Sequence, residues 1–152
     1  MPLGNLGGIA AMAQMRGGRH FLAEHPQSSD LWRLPTWRLI ASECSIARVL
    51  VHQCRAGLKG RRSGIPVMKP TEFWASDPLL VSYLHGLRCD GRQRHASLDC
   101  PEGAPGDQAR DAARWPPKLW HLIPKVVRTC FAETRNRKNI RRVREIGLLQ
   151  KW

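Results

Sequence analysis

The chain has 152 residues, which suits one domain with a single hydrophobic core. Lys and Arg number 25 against 12 Asp and Glu, and the formal net charge of +13 attracts nucleic acid and other anionic surfaces without sequence preference. An Arg-rich, Trp-rich and Pro-rich composition also follows from a GC-rich coding sequence, so two origins of the charge stay open.

Hydropathy and cysteine usage indicate the cellular compartment and argue against a membrane protein. No run approaches the about 18 apolar residues of a membrane span, and residues 1–18 lack the basic start and apolar core of a secretory signal. The five cysteines show no tight spacing. We therefore predict an intracellular protein, nuclear or cytoplasmic, with free thiols and no membrane partner.

The N-terminal part of the chain consists of short elements separated by glycine. Residues 1–8 are too glycine-rich for a stable element, which predicts a flexible N-terminus. Residues 9–16 are good helix formers, and Gly17 and Gly18 should end that helix. Residues 20–23 predict a short strand that leads into a polar loop.

The middle of the chain alternates predicted helices and strands. Pro35 can begin a helix that runs to about Glu43. Residues 46–52 are β-branched and apolar, as expected of a buried strand. Residues 66–75 are predicted to be extended, and residues 78–87 to form a helix.

The C-terminal part is predicted to be a helix between two polar segments. Residues 88–113 should form a long polar loop, and residues 132–152 a basic tail with a flexible end. The helix between them contains Pro124, which should kink or break it. The folded unit would then be residues 9–131, an α/β domain with a largely parallel sheet of about three strands and flanking helices.

Several short segments occur in the order found in a known family. Glu24-His25-Pro26-Gln27-Ser28-Ser29 with Trp32 resembles the Glu-Asn-Pro-x-Ser-Ser…Trp segment of phage- and mobile-element-type DNA cytosine methyltransferase-like proteins. Four further segments follow in the family's order. His52–Gly57 is similar to Asp-x-Cys-x-x-Gly, and Lys69–Phe73 is similar to Lys-Pro-Thr-x-Phe. Arg88–His95 is similar to the family's Cys…His segment, and Trp115–Leu119 is similar to Tyr-Pro-x-x-Leu. The same series resembles a region of retrotransposon polyproteins upstream of the integrase.

The resemblance implies a fold and a site. The fold is the C-terminal half of a methyltransferase-like domain, an incomplete Rossmann-like α/β unit. Glu24 would be the catalytic residue that faces a base, in vestigial form. The substrate-binding residues would be Ser28, Ser29, Trp32, Lys69 and Thr71. From the residue type alone, a surface or capping role is favoured for the Glu24 carboxylate.

The chain departs from the family where the chemistry would occur. His25 stands where the family has Asn, and no Cys follows a Pro ahead of Glu24 to act as the nucleophile. The glycine-rich turn that binds S-adenosylmethionine after a first strand is also missing. We therefore predict a mobile-element-derived fragment that is catalytically inactive alone and has no cofactor, unless a missing half supplies S-adenosylmethionine.

Two alternatives compete with a methyltransferase-like fragment. The first is a basic protein that binds nucleic acid without sequence preference, through phosphate contacts from arginine and stacking on tryptophan. The arginines selected for this role are Arg55, Arg61, Arg62, Arg141 and Arg142. The second is a translated open reading frame without selected function.

A metal site is the last candidate in the sequence. Cys89, His95 and Cys100 have ligand types that suit zinc, with Cys54 or His121 as a fourth ligand. Their spacing lacks the short Cys-x2–4-Cys pair of strong sites, and we therefore predict no bound metal.

Overall fold

A computed structural model describes residues 3–60, 63–96 and 114–149, with side chains as far as residue 138. The described part is a mixed α/β structure built on one three-stranded antiparallel sheet. The strands are β1 (Leu22–Pro26), β2 (Ala47–His52) and β3 (Pro70–Ala75), in the order β1-β3-β2.

The expected largely parallel sheet is wrong. β3 pairs antiparallel with both neighbours, so that Phe73 lies opposite Glu24 on one side and Val49 on the other. β1 and β2 run in the same direction without pairing, because β3 enters between them. The alternation of helix and strand patterns predicts the order of the elements along the chain, whereas their order in the sheet depends on packing.

Four helices surround this sheet in the described part of the chain. They are α1 (Leu3–Arg16), α2 (Pro35–Glu43), α3 (Leu79–Ser82) and α4 (Pro117–Leu149). Two 3-10 turns, Asp30–Arg33 and Gln53–Ala56, follow β1 and β2. No helix among the described residues combines the length and the apolar character that crossing a bilayer requires.

Each face of the sheet carries its own hydrophobic core. The first core joins β2 and β3 to α3 and α4, and its fully buried members include Val51, Phe73, Leu84 and Leu119. The second core joins α1 and α2 to the opposite face, and its buried members are Ala11, Phe21, Trp32, Trp37, Ile40 and Trp74. The strand alternation explains the division, since neighbouring residues of β3 point to opposite faces.

The glycine-rich segment 1–8 is predicted to hold no stable element, but α1 begins at Leu3. The glycines that argued against a helix lie at its contact with α2. The indole nitrogen of Trp37 donates to the Gly4 carbonyl at 3.1 Å. A Cβ placed on Gly8 would lie 2.7 Å from the Cβ of Thr36. Packing therefore overrides the low helix propensity of glycine.

Some of the other predicted helix and strand boundaries are confirmed, and others are corrected. The predicted helix at 35–43 and the strand at 46–52 are confirmed by α2 and β2. The first strand is Leu22–Pro26 rather than 20–23, which places Glu24 in mid-strand. The helix predicted over 78–87 is reduced to α3, and turns follow it through residue 86.

The C-terminal helix differs most from its prediction. α4 runs through Pro124 without a break, and residues 132–149 of the expected basic tail belong to it. Pro124 is exposed, so the carbonyl that loses its helical partner lies on the solvent side. Of the predicted loop 88–113, residues 97–113 lie outside the described residues.

Candidate functional site

The polar loop after β1 is held by its own backbone and by β3. Gln27 N donates to the Pro70 carbonyl at 3.1 Å, and Ser29 N donates to the Pro26 carbonyl at 3.0 Å. The Ser29 hydroxyl accepts from Leu31 N at 3.1 Å and so caps the 3-10 turn that follows. This turn directs Trp32 inward.

Trp32 joins a cluster of aromatic rings on the sheet. Its ring stacks on Trp74 with 4.5 Å between centroids and 8° between planes. Trp37 stands edge-on to both rings, at 5.2 Å from Trp32 and 6.1 Å from Trp74. The Arg48 guanidinium lies 3.9 Å from the centroid of the Trp74 ring, a cation–π contact at the surface of the cluster.

An open cleft of about 490 Å³ lies beside this cluster. The loop contributes Ser28, Ser29 and Trp32 to its lining. Its charged lining residues are Arg33, Arg38, Arg48 and Glu72. Three of these four side chains are cationic, and all three arginines are exposed.

Among the described residues, the charges of the cleft are only weakly compensated. Arg33 forms an ion pair with Asp30 at 3.2 Å, but both side chains are more than 80% exposed, at 83% and 86%. Such a pair contributes about 1 kcal/mol or less to stability. The cleft therefore presents a cationic, solvent-accessible rim beside a largely buried aromatic cluster, which suits an anionic ligand.

The structure brings together part of the predicted substrate-binding set. Ser28, Ser29 and Trp32 line the cleft. Lys69 is half-buried and is not among the residues that line the cleft. Thr71 is fully buried, and its hydroxyl accepts from the Gln53 side-chain nitrogen at 2.8 Å.

Glu24 lies away from this cleft. It shares a side of β1 with Leu22, which packs against the first core, whereas Ala23 packs against the second. Its carboxylate accepts a hydrogen bond from the indole nitrogen of Trp115 at 3.3 Å. Glu24 and the tryptophan cleft are thus on opposite faces of the sheet.

The arginines chosen from the sequence are not those that line the cleft. Arg55 is exposed on the 3-10 turn after β2, Arg61 and Arg62 lie outside the described residues, and the side chains of Arg141 and Arg142 in α4 lie outside them as well. Sequence reasoning favoured dense basic runs and missed the three cleft arginines. Arg48 did leave a signal, since it is the charged residue within the apolar strand β2.

A second group of chemically active side chains lies where the chain leaves β2. Ligand atoms of Cys54, Cys89 and His95 all lie within 4.8 Å of one another. Burial raises the pKa of the Cys54 thiol above its ordinary value, and the neighbouring Cys89 thiol raises it further. Two of the three predicted metal candidates therefore meet here together with Cys54, while Cys100 lies outside the described residues.

A third group, His20, Asp77 and Cys130, lies between β1, α3 and α4. His20 Nε2 contacts the Thr134 hydroxyl at 3.0 Å, and its Nδ1 contacts the Ser76 hydroxyl at 3.4 Å. Burial, followed by the charge of Asp77, raises the pKa of the Cys130 thiol. Through these contacts His20, which precedes β1, links Thr134 of α4 to Ser76 at the end of β3.

Comparison with known proteins identified no relative. Neither the protein-family models, nor the curated proteins, nor the solved structures contain a match to the chain.

Proposed function

We propose that this protein binds nucleic acid without sequence preference through the cleft beside Trp32 and Trp74. The observation that carries the proposal is the position of Arg33, Arg38 and Arg48 around one open cleft. A second part of the proposal is that the fold is a methyltransferase-like half-domain of mobile-element type that has no catalytic activity alone.

Charge and shape support the first part. A formal net charge of +13 attracts a polyanion from all directions, and three exposed arginines at one cleft localise the contact. The expected contact is between phosphate groups and these arginines, which does not depend on base sequence. Trp32 and Trp74 are themselves 8% and 4% exposed, so phosphate contact rather than base stacking supplies most of the affinity.

The order of the resembling segments along the sequence, from Glu24–Ser29 to Trp115–Leu119, supports the second part. The position of Glu24 supports the absence of activity, because its carboxylate is bonded to Trp115 on the face opposite the cleft.

The test of nucleic-acid binding compares arginine variants of the full chain. Binding of a fluorescent single-stranded oligonucleotide is measured by anisotropy over a series of salt concentrations. We expect Arg38→Ala and Arg48→Ala each to weaken binding and to reduce the salt slope by about 0.7 to 1, the contribution of one phosphate contact. Oligonucleotides of different sequence should bind alike.

Arg128→Ala is the matched control, since Arg128 is also exposed but lies on α4, which packs on the other face of the sheet. It removes the same charge and should leave the slope nearly unchanged. Equal losses in all three variants would contradict a role for the cleft and indicate diffuse attraction. Absence of binding at low salt in a cooperatively folded chain would favour an open reading frame without selected function.

Catalytic inactivity has its own test. The full chain is incubated with DNA and S-adenosylmethionine carrying a radioactive methyl group. We expect no label in the DNA, because the sequence lacks both the cysteine nucleophile and the cofactor turn of the family. Enzyme-dependent labelling would contradict this part and leave the binding proposal standing.

A further inference from the structure

We propose that Cys54, Cys89 and His95 form a binding site for a thiophilic divalent metal ion, with zinc as the expected ion. Two sulfur ligands and one imidazole ligand are the donors that zinc prefers among protein side chains. Three protein ligands leave the fourth tetrahedral position to water or another donor. The proposal is independent of nucleic-acid binding.

Distances between the ligand atoms fit such an ion. Zinc–sulfur and zinc–nitrogen bonds of about 2.3 and 2.0 Å at a tetrahedral angle require about 3.5 Å between the sulfur and the nitrogen. Cys89 Sγ and His95 Nε2 are 3.4 Å apart. Cys54 Sγ lies within 4.8 Å of both, so a small movement of one side chain completes the geometry.

Backbone contacts hold the three ligands at this place. Cys54 belongs to the 3-10 turn directly after β2. Cys89 N donates to His52 Nδ1 at 3.0 Å, and His52 N donates to the Leu87 carbonyl at 2.9 Å, which fastens Cys89 to the end of β2. Next to His95, Ala96 N donates to the Pro66 carbonyl at 2.9 Å. Segments distant in sequence are therefore brought to one point by the fold itself.

Polar groups also surround Cys89. Gly91 N donates to Cys89 Sγ at 3.4 Å, and the left-handed backbone of Gly91, with φ of 77°, allows this turn. The Gln93 side-chain nitrogen lies 3.7 Å from Cys89 Sγ and 3.3 Å from His95 Nε2. Such outer contacts, which orient the ligand side chains, are typical of metal sites.

The ligand atoms around Cys130 contact other elements, whereas Cys89 Sγ and His95 Nε2 contact each other. Both ring nitrogens of His20 contact hydroxyl groups, and one oxygen of Asp77 accepts from Leu79 N at 2.9 Å. Cys89 and His95, in contrast, are half-buried rather than buried, which leaves an entry path for an ion. These differences select the group at the end of β2.

The test uses Co²⁺ as a spectroscopic probe on the reduced, chelator-treated full chain. We expect one equivalent to bind, with thiolate-to-cobalt charge-transfer bands and visible bands of tetrahedral cobalt, and Zn²⁺ to displace it. Cys89→Ser and His95→Gln should each weaken binding about tenfold or more. Cys44→Ser is the matched control, because Cys44 is a half-buried free thiol outside the group, and it should bind like the parent chain.

Circular dichroism of each variant confirms that it is folded before the titration. Absence of thiolate bands in the folded parent chain would overturn the proposal, as would retention of full affinity in both ligand variants. A Cys54–Cys89 disulfide that forms in air and leaves the reduced chain without affinity for cobalt would also overturn it and assign the pair to redox chemistry.

Discussion

Gln53 and Thr71 are the two polar side chains that are fully buried in the described core. The Gln53 side-chain nitrogen donates to the Thr71 hydroxyl, which in turn donates to the Lys69 carbonyl at 3.3 Å. The Gln53 side-chain oxygen is buried without a partner among the described residues. The pair joins the end of β2 to the start of β3 inside an apolar setting, where a lost partner is costly.

Replacing Thr71 tests this pair. Thr71→Val keeps the shape but leaves the Gln53 nitrogen without its acceptor, so we expect a loss of about 1–3 kcal/mol in the free energy of unfolding. The measurement is urea denaturation. The double variant Gln53→Leu with Thr71→Val removes both polar partners and should be more stable than the single variant. A single variant as stable as the parent would show that the bond contributes nothing.

The burial of Thr71 also argues against its predicted role in substrate binding. The Lys-Pro-Thr resemblance assigns Thr71 to substrate binding, but its hydroxyl is committed to the core. Ser28 is exposed at the cleft and remains available to a ligand, while the Ser29 hydroxyl caps the turn that orients Trp32. Residue types and their order in the sequence indicate a site, whereas burial decides which of the predicted site residues can reach a ligand.

At the level of elements, α1 depends on close contact with α2. The contact lies at Gly8, where the absence of a side chain allows Thr36 to approach the helix backbone. Thr36 also donates from its hydroxyl to the Asn5 side-chain oxygen at 3.0 Å. Glycine therefore serves here as a packing residue, although it lowers the intrinsic stability of the helix.

Two glycines of α1 provide a matched comparison. Gly8→Ala would force Thr36 and the helix apart, and we expect it to destabilise the protein by about 1–3 kcal/mol, as overpacking does. Gly7→Ala meets only the Trp37 ring at 3.4 Å, so the gain in helix propensity should stabilise the protein by up to about 1 kcal/mol. Chemical denaturation measures both. Equal effects of the two substitutions would contradict the close contact at Gly8.

For the whole molecule, one strand couples the two cores. Phe73 and Ala75 of β3 belong to the first core, and Trp74 between them belongs to the second. Neither core can lose its part of β3 without disturbing the other face. The two cores should therefore unfold as one unit, as small single domains usually do.

Thermal unfolding checks this coupling with two probes. Far-ultraviolet circular dichroism follows the helices, and tryptophan emission follows the rings, of which Trp32, Trp37 and Trp74 lie in the second core. We expect coincident transitions with the same midpoint. Trp120→Phe, at an exposed ring on α4, serves as the control and should leave the midpoint unchanged. Separate midpoints would show that the faces unfold independently.

The sequence by itself determined the local features of this protein. Short-range patterns predict the bounds of α2 and β2 and the existence of three strands. They also place Ser28, Ser29 and Trp32 on one loop. These patterns are readable because turn residues, helix starts and apolar runs act over a few neighbouring positions.

Only the tertiary structure decided the direction of the strands and the composition of the sites. β3 lies between β1 and β2, Glu24 is separated from the cleft, Arg48 lies over Trp74, and Cys54 meets Cys89 and His95. These relations join residues far apart in the chain, and they follow from which faces bury each other. No local propensity contains that information, because packing is a property of the assembled core.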